Sequence, residues 1–204
     1  MFEKLKRKWL QKKLKEERYA FLFDIPPADE YVCLDTETTG LDIKKDSIIS
    51  IGAVRIVKNR ILTHEAFHVR VRPKTELKSE SVKVHQIRAC DLEGALEPEE
   101  AMERLLHFIG PRPLVGYYLE FDVAMLNKYA RRLLGIALPN RQVEVSAIYY
   151  DKKIGTIPQG HVDLRFDTIL SDLDIPRLGK HDALNDAIMT AMIFLKLKHW
   201  KKRR

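Results

Sequence analysis

Cysteine is scarce: the 204 residues include only Cys33 and Cys90, and these form no CxxC pair and no Cys/His cluster. That argues against a disulfide framework and a structural zinc site, and it fits a reducing, cytoplasmic setting. No stretch approaches the ~20 consecutive apolar residues that span a bilayer. The most apolar region, Ala187 to Leu197, is interrupted by Thr190 and Lys196. The opening segment, Met1 to Lys13, has neither an apolar core nor a small-residue cleavage site, so a secretory signal is not expected. Internal repeats and low-complexity tracts are absent as well. What remains is one domain of ordinary size, with 45% hydrophobic residues to build a core.

Positive charge is abundant, and it collects at the ends. The formal net charge is +7; residues 1–18 carry +5 and residues 196–204 carry +6, so the body between them sums to −4. Basic ends attract polyanions such as nucleic acid or anionic lipid, or they serve solubility alone. Within residues 1–19, Phe2, Leu5 and Trp9 share one side, and Leu10 and Leu14 widen the stripe. This spacing predicts a basic amphipathic helix. With its linker through Pro26-Pro27 it forms an N-terminal element over 1–28, ahead of a main domain over 29–204 that ends in the basic tail. Such a helix suits a protein partner such as a polymerase, or phosphate contacts, more than a membrane.

The main domain reads as α/β. Tyr31–Asp35, Ile48–Val57 and Ile61–Val71 are apolar and β-favouring, and the polar Lys58-Asn59-Arg60 suggests a hairpin between the last two. Helical spacing follows over 98–109, then a strand over 113–118 and a helix over 121–134 closed by Gly135. A fifth strand is expected over 143–149, a helix over 164–173, and a last helix from about Asp182 to Trp200. Three strands followed by alternating strands and helices predict a mixed five-stranded sheet flanked by helices.

The chemistry concentrates in three short blocks. Asp35-Thr36-Glu37-Thr38-Thr39-Gly40 follows an apolar strand, and strand alternation points Asp35 and Glu37 to one face. Two carboxylates at a buried strand end repel each other, and a divalent cation relieves that cost. An all-oxygen set favours Mg²⁺ or Mn²⁺ over zinc. Gly40 allows a turn with positive φ and the close approach of a ligand. The competing reading of the block is a polar strand-to-turn junction. Asp122 opens a helix, where the macrodipole alone also favours an acid. His181 and Asp186 bracket the start of the last helix. Residues five apart on one helix diverge by about 140°, so His181 belongs in the loop before an Asp182 N-cap, where an exposed polar residue is equally at home. Together, four acids can hold two divalent cations ~3.5–4 Å apart for in-line displacement at phosphorus, and an imidazole suits the general base.

With these residues in view, the sequence resembles the His-containing (DEDDh) branch of the DEDD exonucleases, which includes the epsilon subunit of bacterial DNA polymerase III, ribonuclease T and oligoribonuclease. Asp35–Gly40 matches the first family motif, Phe121-Asp122 the second and His181 to Asp186 the third, in order, across about 30–195. The resemblance implies a ribonuclease-H-like fold and 3′→5′ exonucleolysis releasing nucleoside 5′-monophosphates. It assigns metal binding to Asp35, Glu37, Asp122 and Asp186, with two ions, and the general base to His181. It implies nucleotide contacts from Thr38, Gly40, Leu41, Val84 and His85. Where the family often has His-Asn-x-x-Phe-Asp, this chain has Tyr117-Tyr118-Leu119-Glu120-Phe121-Asp122, and Tyr117 or Tyr118 is expected to stack on a base, core packing at the strand end being the equal alternative. The expected substrate is single-stranded or 3′-terminal nucleic acid, DNA ahead of RNA. The alternative is a non-catalytic nucleic-acid- or polymerase-binding subunit with the same fold.

Overall fold

The computed structural model describes residues 2–154, 162–179 and 181–200. Its spine is β1 (Glu30–Thr38), paired antiparallel with β2 (Ile48–Val57) from Glu30↔Val57 to Glu37↔Ser50. The register shifts between Glu37 and Thr38, so regular pairing loosens where the first acidic block ends. Along β1, Val32 and Leu34 enter one core while Cys33 enters the other. By alternation Thr36 belongs to the first face, and Asp35 and Glu37 to the second.

The third strand expected over 61–71 is two strands. β3 (Arg60–Ile61) pairs with Ile56 and Val57, and β4 (Phe67–Arg70) pairs with Ser50 to Ala53. A 3-10 turn over Thr63–Glu65 separates them, because the polar Thr63-His64-Glu65 run has no apolar face to bury. A short helix, α2 (Ser79–His85), was not expected; only Val82 and Val84 are apolar in it, too few to show a period.

α3 (Pro98–Ile109) matches its predicted bounds. Pro98 sits in the first turn, and Ala101, Met102, Leu105, Leu106 and Ile109 are buried. β5 (Leu114–Gly116) lies parallel to β1. α4 (Leu119–Leu134) ends at Gly135, whose φ of +72° only glycine adopts freely. The strand expected over 143–149 ends early. β6 (Gln142–Glu144) gives way to α5 (Val145–Ile154) because Glu144 caps two helices at once: Leu119 N–H donates to Oε2 (2.9 Å), and Ser146 N–H and Oγ–H donate to Oε1 (3.0 and 2.7 Å). α6 (Phe166–Asp172) and α7 (Ala183–Lys198) complete the chain, and Asp182 N-caps α7 by accepting from Asn185 N–H.

The sheet order is β3-β2-β1-β5-β6, with β4 also on β2, giving six strands rather than five. The mixed sheet flanked by helices is as the sequence predicts. α3 and α4 cover one face, and α5, α6 and α7 the other.

The N-terminal segment is α1 (Phe2–Lys12) followed by a 3-10 turn over Glu17–Phe23. The single helix expected over 1–19 breaks because Lys15 N–H turns to donate to Leu134 O (2.9 Å), with residues 13–15 lying close against Gly135. Tyr19 and Leu22 are fully buried in the α3/α4 core. Leu5 and Trp9 are exposed, and the Phe2 side chain lies outside the described residues. The tail over 201–204 also lies outside them. No helix among the described residues is long and apolar enough to cross a membrane.

Candidate active site

Three of the four predicted metal-binding acids converge. Asp35, Glu37 and Asp186 each place a carboxylate oxygen within 4.8 Å of the others. Asp35 and Glu37 come from the α7 face of β1, and Asp186 from the first turn of α7. Gly52 makes the approach possible. Paired across from Asp35 on β2, it would place a Cβ only 2.2 Å from the Ala183 carbonyl carbon, so the helix start lies directly on the strand. A glycine inside an otherwise apolar strand is the sequence signal for such an approach.

Asp122 stands apart from the three. It reaches the end of β1 from the α4 side, where its Oδ1 accepts from Thr36 N–H (3.0 Å) and Thr36 Oγ–H (2.6 Å). Thr36, flanked by the two acids but pointing to the opposite face, ties the fourth carboxyl to their strand.

The electrostatics show the cost of this arrangement. Burial, then Asp122, Glu37 and Asp186, holds Asp35 well above the usual carboxylate range. Burial, then the charges of Asp186 and Asp122, pushes Glu37 up to about 8, while Arg70 pulls the other way. Burial raises Asp122 to about 7 against the two Thr36 hydrogen bonds. Burial and Asp182 raise Asp186 to about 6. Hard, buried, mutually repelling carboxyls fit a divalent cation of the Mg²⁺ or Mn²⁺ type.

His181 is exposed, with φ +51°, on the rim of a cavity of about 680 Å³ that Asp186 also lines. Of the predicted nucleotide contacts, Leu41 (83% exposed) and Tyr118 (74%) both line a second cavity, of about 780 Å³, with Ile43 and Phe121. Tyr117 lies just past the end of β5. Its ring packs on Phe166 (centroids 4.8 Å apart) and its hydroxyl donates to Leu164 O (3.1 Å). Thr38 donates its hydroxyl to Gly40 O (2.7 Å).

Gly40 is present for a different reason than the sequence suggested. Its φ is not positive. A Cβ there would meet Asp46 Oδ2 at 2.5 Å and Lys78 Nζ at 2.9 Å. Asp46 is a buried hub that accepts from Asp42 N–H (2.8 Å), Thr39 Oγ–H (3.2 Å) and Lys78 Nζ (2.6 Å). It fastens the loop bearing Leu41 to the start of α2, which carries half-exposed Val84 and buried His85. His85 Nδ1 accepts from Ile87 N–H (3.0 Å), which leaves the proton on Nε2, and that atom is buried without a partner.

A family model described as exonuclease matches residues 32–194. The DNA polymerase III subunit epsilon of Aquifex aeolicus is 30% identical over 167 residues, covering 82% of this chain and 79% of that protein. A PolC-type DNA polymerase III from Thermotoga maritima is 28% identical over 85% of this chain, which spans only 12% of that polymerase. Among solved structures, E. coli exonuclease I in complex with a dT13 oligonucleotide superposes with a TM-score of 0.69 at 15% identity, over 84% of this chain and 41% of exonuclease I. The chain thus spans less than half of those two larger proteins.

Proposed function

We propose that this chain, which belongs to the RNase T exonuclease family, removes nucleotides from the 3′ end of single-stranded nucleic acid, DNA ahead of RNA, by metal-assisted hydrolysis. The observation that carries the proposal is the meeting of Asp35, Glu37 and Asp186 within 4.8 Å at the end of one strand. These three, with Asp122 beside them, would hold two divalent cations, Mg²⁺ or Mn²⁺, which when bound supply positive charge for the phosphodiester and make water more acidic. His181 accepts the proton of the attacking water; its place on an exposed loop lets it come and go with the substrate. The oxygen of the penultimate nucleotide leaves, and a nucleoside 5′-monophosphate is released.

The second cavity supports a base-binding role. Leu41, Ile43, Tyr118, Phe121 and Ala124 give it an apolar wall, and among the described residues no Lys or Arg lines it, whereas Glu120 and Glu144 do. Such a surface disfavours phosphate and accepts an uncharged base, with Tyr118 as the stacking face. A single-stranded DNA substrate is supported by the oligonucleotide named with exonuclease I and by the polymerase names of the relatives. A purely binding subunit has no use for three clustered carboxyls that oppose one another.

The test is a gel time course on 5′-labelled single-stranded DNA and matching RNA with Mg²⁺, Mn²⁺ or EDTA, beside Asp35→Ala. The expected result is a ladder shortening from the 3′ end, lost with EDTA and in the variant. Intact strands after incubation with folded, metal-loaded wild type would overturn the proposal.

A further inference from the structure

Arg70 is tied by its strand position to the acidic face of the sheet. Glu37 pairs with Ser50 on β2, and Ser50 pairs with Arg70 on β4. Laterally paired residues project to the same face, so Glu37, Ser50 and Arg70 form one row. The neighbouring row runs Asp35, Gly52, His68. His68 confirms the direction: its Nε2 is 3.3 Å from Ser50 Oγ and 4.0 Å from Asp182. The opposite alternation, Phe67 and Val69, packs into the α3/α4 core.

A guanidinium on this face would be expected to pair with a carboxylate, yet it does not. Among the described residues Arg70 has no ion pair within 4.0 Å, and its Nη1 is buried without a hydrogen-bond partner. The second orphan on this side of the molecule is His85 Nε2–H, on a side chain 94% buried. The two share an electrostatic neighbourhood, since burial, then the charges of Arg70 and His181, lowers the His85 pKa. Two buried donors without acceptors, beside a cluster built to neutralise charge, constitute half of a hydrogen-bonding site. The missing half has to be an acceptor that arrives with a ligand, and guanidinium matches phosphate oxygen in geometry as well as charge.

We propose that Arg70, with His85 beside it, binds a nonbridging phosphate oxygen of the substrate strand. The inference rests on the exonuclease reading above and adds a residue that none of the three acidic motifs contains. Arg70 thereby draws the strand toward Glu37 and offsets the negative charge that builds on the phosphate during displacement.

The experiment measures single-turnover hydrolysis of a 5′-labelled oligonucleotide by wild type, Arg70→Met and Arg70→Lys in Mn²⁺. Each is tested on the ordinary terminal linkage and on both phosphorothioate diastereomers, and Mn²⁺ affinity is read by calorimetry. Removing one preorganised donor to a reacting phosphate is expected to slow the ordinary substrate by about 10²-fold. That penalty should shrink for one diastereomer, whose sulfur already lacks the hydrogen bond, and persist for the other. Arg70→Lys should recover part of the loss, and Mn²⁺ affinity should not weaken in either variant. Equal penalties on both diastereomers, or a variant as fast as wild type, would overturn the proposal. An inactive wild type would instead overturn the exonuclease reading.

Discussion

Divalent metal should stabilise this protein far more at pH 8 than at pH 5. In the metal-free protein Glu37 is raised to about 8, Asp122 to about 7 and Asp186 to about 6, with Asp35 well above its ordinary value. Unfolded, each returns to about 4. The folded state therefore binds more protons than the unfolded state between those limits, and stability falls as pH rises through that window. For Glu37 alone, a rise from 4.5 to about 8 corresponds to roughly 5 kcal/mol at ~1.4 kcal/mol per tenfold change. The acids repel one another, so their contributions overlap and are not summed. In a chain of this size, roughly 5 kcal/mol moves Tm by about 10–20 °C. Bound cations remove the repulsion, so the loss should vanish with saturating Mg²⁺. The assay is a set of thermal melts at pH 5, 6, 7 and 8, in EDTA and in Mg²⁺. A Tm in EDTA that stays level or climbs across this range would refute the reasoning, as would a Mg²⁺ shift independent of pH.

Further outcomes follow from the same geometry. Thr36→Val keeps the backbone donor to Asp122 but loses the 2.6 Å hydroxyl contact; a hydrogen bond to a charged group is worth ~1.5–3 kcal/mol, so calorimetry should show Mn²⁺ affinity falling by roughly ten- to a hundredfold. Asp122 should also titrate higher in that variant, because the lost bond favours its charged form. His181→Ala should retain metal affinity but lose ~10²–10⁴ in kcat, read by calorimetry beside single-turnover hydrolysis. Gly52→Ala forces a methyl into the α7 backbone and should cost about 1–3 kcal/mol in denaturant melts, with weakened Mn²⁺ binding as Asp186 is pushed away. Tyr118→Ala should raise KM for oligonucleotides by about tenfold or more, as loss of one stacked base predicts, and unchanged KM would remove Tyr118 from the base site.

Where one physical signal dominates a segment, the sequence already reveals the structure. Tyr31–Leu34 and Ile48–Val57 are too apolar to be anything but central strands, and α3, α4 and α7 show clear periods with stops or caps at Gly110, Gly135 and Asp182. Strand alternation alone places Asp35 and Glu37 together. What it misses depends on partners distant in sequence. Glu144 converts an apparent strand into a strand and a helix, because its acceptors serve amides at both 119 and 146. Lys15 ends α1 by bonding Leu134. Asp122 meets the end of β1 through Thr36 rather than joining the other three acids within 4.8 Å, because α4 brings it to the face that Thr36 occupies. Gly40 accommodates Asp46, a carboxylate six residues later, and no local rule links the two.

The double use of Glu144 has a consequence for motion. One carboxyl holds the first amide of α4 and the second residue of α5, so neither helix start can open without disturbing the other. In hydrogen exchange, the amides of Leu119 and Ser146 should therefore gain and lose protection together, despite lying 27 positions apart. In Glu144→Ala both should exchange rapidly, and the first turn of α4 should fray with them. Asp122 sits in that turn, so the fidelity with which the fourth acid is presented depends on an opening event shared with a helix that carries none of the acids.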